Sequence, residues 1–128
     1  MPIEVVRLGS PRKANEGLRI GTVRRPPRGV PKAEFAKRDF YDVWLPALSP
    51  SQDLVTFALH SQDEKSWKTF ERKFRAEMKD AEAARLLDLL AALSHQTNFS
   101  VGCYCENEDR CHRSVLEKLL KEHGAEMR

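Results

Sequence analysis

Three cysteines, Cys103, Cys105 and Cys111, fall within nine positions and run directly into His112 and Arg113. The pattern Cys-x-Cys-x5-Cys-His offers thiolate and imidazole ligands of the kind zinc takes. Cys111 and His112 are adjacent, however, and on a helix neighbours diverge by about 100°. Both could not easily grip one ion, and a fourth ligand would have to come from His60, His95 or elsewhere. A reactive thiol is the second possibility, because a cysteine at a helix start is readily ionised. Cys111, or Cys103 facing it, would then be the nucleophile, with His112 or His95 as base or proton donor. A redox pair joining Cys103 or Cys105 to Cys111 belongs to the same class. The spacing is not that of the Cys-x5-Arg phosphatase loop, since Arg110 follows Cys105 after four residues and Cys103 after six. The remaining reading is structural, with small cysteines packed in a core under a capping loop.

Arginine is the other residue type with something to hold. Asp109 is a good N-cap, which puts Arg110, Cys111 and His112 in the first turn of a helix. Free amides and the positive helix end favour an anion there, and Arg110 and Arg113 would add charge-assisted contacts. A second arginine group, Arg24-Arg25-Pro26-Pro27-Arg28-Gly29, lies in a proline-rich stretch that cannot form regular structure. Residues 1–38 hold ten basic and three acidic side chains, a local charge of +7, whereas the remainder carries −4. This asymmetry points to an anionic ligand near the N-terminal third. A nucleic-acid-binding module would use the same residues 7–38 against phosphates, although only Phe35 lies among them for stacking. Solvated basic loops would need no ligand at all.

These residues require a scaffold. Ile3 to Leu8 and Leu18 to Val23 read as strands, bounded by Gly9-Ser10-Pro11 and by the proline stretch. A short helix is expected over residues 32–38 and a strand over residues 40–44. Ser49-Pro50-Ser51 signals a helix running to Leu59. Ser61 and Glu64 have capping-box spacing. Behind them Trp67, Phe70, Phe74 and Met78 share one helical face, as core packing requires. Leu86, Leu87, Leu90 and Leu93 mark the next helix. Residues 98–103 read as a buried strand, and Val115, Leu116, Leu119 and Leu120 as a last helix stopped by Gly124. Strands alternating with helices indicate one α/β domain over residues 1–128, with a short central sheet and helices packed around it.

The chain has 128 residues, enough to bury a core without a disulfide or metal. Apolar residues make up 41% and charged residues 32%, a globular composition. The apolar run over residues 86–93 falls far short of the ~20 residues of a membrane span. The opening Met1-Pro2-Ile3-Glu4-Val5-Val6-Arg7 lacks the plan of a signal peptide. Clustered rather than dispersed cysteines also argue against a secreted scaffold, and a cytoplasmic location is expected.

Four segments, taken in order, are more specific than any one alone. They are Arg24 to Gly29; Tyr41-Asp42-Val43-Trp44-Leu45-Pro46-Ala47-Leu48-Ser49-Pro50-Ser51; Trp67-x-x-Phe70 with Phe74-Arg75-Ala76-Glu77-Met78; and Cys103 with Cys111-His112-Arg113-Ser114-Val115-Leu116. Through them the sequence resembles, over nearly its whole length, the domain of unknown function 488 family. The resemblance implies a cytoplasmic α/β domain and supplies no reaction. In the family pattern a strand ends in one cysteine and Cys-His-Arg opens the last helix. Cys103, Cys111, His112 and Arg113 match it, as do Arg24, Pro27, Arg28 and Gly29 in the early loop. Cys105 is outside the wider motif, and Pro26 stands where a tryptophan commonly precedes Pro-Arg-Gly. Some relatives lack Cys-His-Arg, so the cysteines are not obligatory for the fold. The combined expectation is one positively charged pocket at one end of the sheet. Arg24, Arg28, Arg110 and Arg113 would bind a small phosphorylated or nucleotide-like anion there, and Cys103, Cys111 and His112 would be available for chemistry.

Overall fold

A computed structural model describes residues 2–60, 63–104 and 112–128, with the side chains of residues 59 and 60 left aside. Four strands, β1 (Ile3–Arg7), β2 (Leu18–Gly21), β3 (Val43–Trp44) and β4 (Phe99–Cys103), form a sheet in the order β1-β4-β2-β3. All the pairings are parallel. The helices are α1 (Gln52–His60), α2 (Glu64–Glu77), α3 (Ala81–Leu93) and α4 (His112–Glu122). Two short 3-10 turns, Lys32–Glu34 and Pro46–Leu48, complete the described elements.

Side chains alternate across a strand, so each central strand serves two layers. Ile20, Phe99 and Val101 join Ile3 in the main core with residues from all four helices, among them Leu54, Phe74, Leu87 and Leu116. On the other face the neighbours of Ile20 and Val101 are small or paired. Ser100 donates to Glu16, which is locked to Arg19, and all three are buried. Gly21 and Gly102 follow, and there a side chain would not fit. A Cβ on Gly21 would collide with the Tyr41 ring, and one on Gly102 would lie 2.6 Å from the Val6 carbonyl oxygen. This closeness admits a second, aromatic cluster of Leu8, Val23 and Tyr41, closed by Cys103 at the end of β4.

Several local expectations need correction. The helix expected over residues 32–38 is one 3-10 turn, because Phe35 turns into the aromatic cluster and Asp39 takes a positive φ of 63°. The strand expected over residues 40–44 narrows to Val43–Trp44, with Tyr41 recruited to the same cluster. The cap of α2 is Asp63, which accepts from the Ser66 amide at 2.7 Å; Ser61 lies outside the described residues. On α3 the buried stripe is Ala83, Leu87, Leu90 and Ala91, and Leu93 is exposed. No helix among the described residues is long and apolar enough to cross a membrane.

Candidate functional site

In open parallel sheets, ligands bind outside the carboxyl ends of strands where neighbouring strands send the chain opposite ways. β2 and β4 meet that condition. The segment after β2 leads outward to β3, whereas the chain after β4 enters α4 and ends beside β1, where Met127 bridges to Ile3. At the carboxyl ends of this pair lies a cavity of about 270 Å³. Its cationic and reactive lining is Arg24, Arg25, Arg28, Cys103 and His112, with Tyr104 beside them. Pro50 and Gln52 of the α1 entry, with Val23 and Val55, make the rest. No carboxylate lines it among the described residues.

Each of these side chains is placed by something identifiable. Proline at positions 26, 27 and 31 keeps the segment after β2 irregular, so its arginines sit on a loop. Arg24 is anchored by donating from Nε to the Pro50 carbonyl at 3.0 Å and from Nη2 to that of Ser49 at 3.3 Å. Arg25 donates to Gln52 at 3.1 Å. Arg28 is exposed and forms no hydrogen bond or ion pair among the described residues. Cys103 ends the buried strand and is 1% exposed. His112, the first residue of α4, donates from Nε2 to the Thr22 carbonyl at 2.7 Å, since a carbonyl can only accept. Its ring also stands edge-on to Phe74, with centroids 5.7 Å apart. Tyr104 donates to the Arg25 carbonyl at 2.9 Å, which ties the end of β4 to the arginine loop. Burial, helped by nearby Tyr41 and Cys103, pushes its phenol far above the ordinary value, so it stays a neutral donor.

Of the residues singled out from the sequence, Arg24, Arg28, Cys103 and His112 therefore converge. Arg113 does not line the cavity. It is 4% exposed and its Nε is buried without a hydrogen-bond partner among the described residues. Cys105, Asp109, Arg110 and Cys111 lie outside the described residues, as does the side chain of His60. His95 is remote, because it precedes β4 at the opposite end of the sheet and donates to the Gly124 carbonyl at 2.8 Å. Among the described residues no three His, Cys, Asp or Glu side chains come together as a metal set.

Tyr104 was not anticipated. Strand alternation points it away from Cys103, but the strand ends at Cys103 and the rule lapses one residue later. The contribution of the α1 entry was also missed, although Ser49-Pro50-Ser51 marks it in the sequence.

The basic segment is partly occupied within the fold. Arg19 is paired with Glu16, Arg12 with Asp42, Lys13 with Glu4 and Arg38 with Glu34. Glu4, Glu16 and Glu34 are already counted in the +7 of residues 1–38, so of these acids only Asp42 reduces that excess.

Fold and cavity together define a small open-sheet α/β protein with a cationic, thiol-bearing cavity at its strand ends. The family model described as "Active DUF488-N3 subclade" matches residues 3–124, and the chain belongs to this family. No match was found among the curated proteins or among the solved structures.

Proposed function

We propose that this protein binds a small phosphorylated or nucleotide-like anion in the cavity at the ends of β2 and β4. On this reading it works in the cytoplasm and acts on the ligand through Cys103 and His112. One observation carries the proposal: three arginines share a cavity that no described carboxylate lines. Cations grouped without counter-charges repel one another, and an anion relieves the repulsion. Arg24 is pre-positioned by two backbone carbonyls, which lowers the ordering cost of binding. The thiol and imidazole line the same cavity.

Recognition of nucleic acid by residues 7–38 is the less favoured use, because Arg12, Lys13, Arg19 and Arg38 already have acidic partners. Zinc is a competing use of the same sulfur and imidazole. The test is a melting curve with increasing phosphate or pyrophosphate, for the wild type and Arg28→Ala, alongside metal analysis. Ligand that binds only the folded state raises Tm by mass action. A rise in the wild type that shrinks in Arg28→Ala is expected. No rise with any phosphate would remove the anion reading, and stoichiometric zinc would reassign the thiol.

A further inference from the structure

A second cavity, of about 520 Å³, is linked to the first by the chain and by one hydrogen bond, from Trp44 in its lining to the carbonyl of Val23 in the other. Val23, Arg24 and Arg25 line the arginine cavity, and Pro26 lines the next. Their contents differ in kind. Phe35, Tyr41 and Trp44 wall the second cavity, while Ala33 and Ala36 leave room between them. Asp42 is already taken, since it accepts two hydrogen bonds from Arg12 and one from the Arg19 amide. Lys32 is the one remaining ionic group in the lining among the described residues.

Two features of this aromatic cavity are incomplete as they stand. The Trp44 indole has its only polar atom tied down, with Nε1 donating to the Val23 carbonyl at 2.8 Å, yet the residue is 42% exposed. An ordered ring presented to solvent is a prepared stacking surface, because its rotamer freedom is already lost. Tyr41 is 4% exposed, and its hydroxyl is buried without a hydrogen-bond partner among the described residues. Buried hydroxyls normally have one. A flat aromatic ring would complete the first of these by stacking on Trp44.

We infer that the two cavities form one site for a mononucleotide, with the phosphate among Arg24, Arg25 and Arg28 and the base against Trp44. This inference rests on the anion-binding reading above and narrows its ligand class. A sugar phosphate would fill the arginine cavity and leave the aromatic one empty. A nucleotide carries both groups on one frame, and the two linings are linked by the chain at Arg25–Pro26 and by the Trp44 bond to the Val23 carbonyl.

The test is calorimetric titration of the full chain with inorganic phosphate, ribose phosphate, the common nucleoside monophosphates and a short single-stranded oligonucleotide. At least one nucleoside monophosphate is expected to bind about tenfold tighter than ribose phosphate, the scale of one base stacked on an aromatic ring. Trp44→Ala should erase that advantage and leave ribose phosphate affinity unchanged, whereas Trp44→Phe, which keeps a ring but loses the bond to the Val23 carbonyl, should keep part of it. In a Trp67→Phe background, where Trp44 is the sole tryptophan, nucleotide should quench fluorescence and ribose phosphate should not. This readout holds even if Trp44→Ala folds poorly. Equal affinity for ribose phosphate and every nucleotide would overturn the inference and leave the anion reading standing. Binding of none of the phosphates would remove both. Tighter binding of the oligonucleotide than of any mononucleotide would also overturn it, in favour of nucleic acid.

Discussion

Glu16 and Arg19 face each other through two hydrogen bonds, Nε to Oε2 at 2.6 Å and Nη2 to Oε1 at 2.8 Å, and neither side chain reaches solvent. The pair is further satisfied from outside. Ser100 donates to Glu16, and Arg19 donates to the Ser10 and Asp39 carbonyls. A sequence count of basic residues includes Arg19 in the ligand-binding charge, whereas the fold uses it to hold the loops at residues 8–17 and 32–42 against β2.

Breaking this pair from one side should be costly. Glu16→Gln keeps the shape but leaves a buried guanidinium with its charge uncompensated, and such changes cost about 3–5 kcal/mol. A urea unfolding curve should show a correspondingly lower midpoint. A loss under about 1 kcal/mol would mean that the pair is hydrated in solution.

The same group sets an acid limit. Burial pushes the Glu16 carboxyl up, but hydrogen bonds from Arg19 and Ser100 and the Arg19 charge outweigh it and hold the group below its ordinary value. Asp42 is held low by its hydrogen bonds from Arg12 and the Arg19 amide, despite burial. A carboxyl depressed in the folded state stabilises the protein above its unfolded value of about 4. That contribution is lost as pH falls through the folded value. Stability should therefore be flat above pH ~5 and fall steeply below ~4, and Glu16→Gln should show a shallower fall. An unchanged acid profile in the variant would assign the transition to other groups.

His112 joins α4 to β2 through the Thr22 carbonyl and packs edge-on to Phe74. Removing it should cost a hydrogen bond of about 1 kcal/mol and an aromatic contact of similar size. His112→Ala is thus expected to lose about 2 kcal/mol by denaturant unfolding and to weaken phosphate binding. Unchanged stability with lost binding would make the imidazole purely a ligand group.

The parts of the fold that repeat were legible in the sequence. The apolar spacing on α2 and α4, the Ser49-Pro50-Ser51 start and the buried run at Phe99–Cys103 each report a local period or cap, and each appears where expected. Residues 32–42 did not follow their local signal. Phe35 and Tyr41 are set by the aromatic cluster, a tertiary constraint no local pattern records. The site divides in the same way. Arg24, Arg28, Cys103 and His112 stood out by type and were brought together by the parallel order of β2 and β4. Tyr104 and Trp44 matter through geometry beyond their strands or through a bond to a distant backbone carbonyl, which spacing cannot encode.

Gly102 tests how tightly the strand ends are packed. A Cβ there would lie 2.6 Å from the Val6 carbonyl oxygen and 2.9 Å from side-chain carbons of Val6 and Leu8. The nearest obstacle is backbone of the adjoining strand and cannot swing aside. Gly102→Ala should destabilise by about 3 kcal/mol, at the upper end of ordinary overpacking. It should also weaken phosphate binding, because Cys103 follows directly. A variant as stable as wild type would show that β1 and β4 separate easily at this end.

Arg113 supplies the last prediction. Its helix position beside His112 marks it as an anion ligand in the sequence, yet it is 4% exposed, lines no part of the cavity and keeps Nε without a partner among the described residues. A buried donor left unsatisfied costs about 1–3 kcal/mol, more when charged. Arg113→Met removes that cost while keeping most of the side-chain volume, so the ligand-free protein should melt at a higher temperature. The buried charge is poorly screened, and its field favours an anion near the start of α4. The added Tm rise on phosphate addition should therefore be smaller in Arg113→Met than in wild type. A lower Tm without ligand, with an unchanged phosphate response, would show that the guanidinium is structurally satisfied in solution and contributes nothing to anion binding.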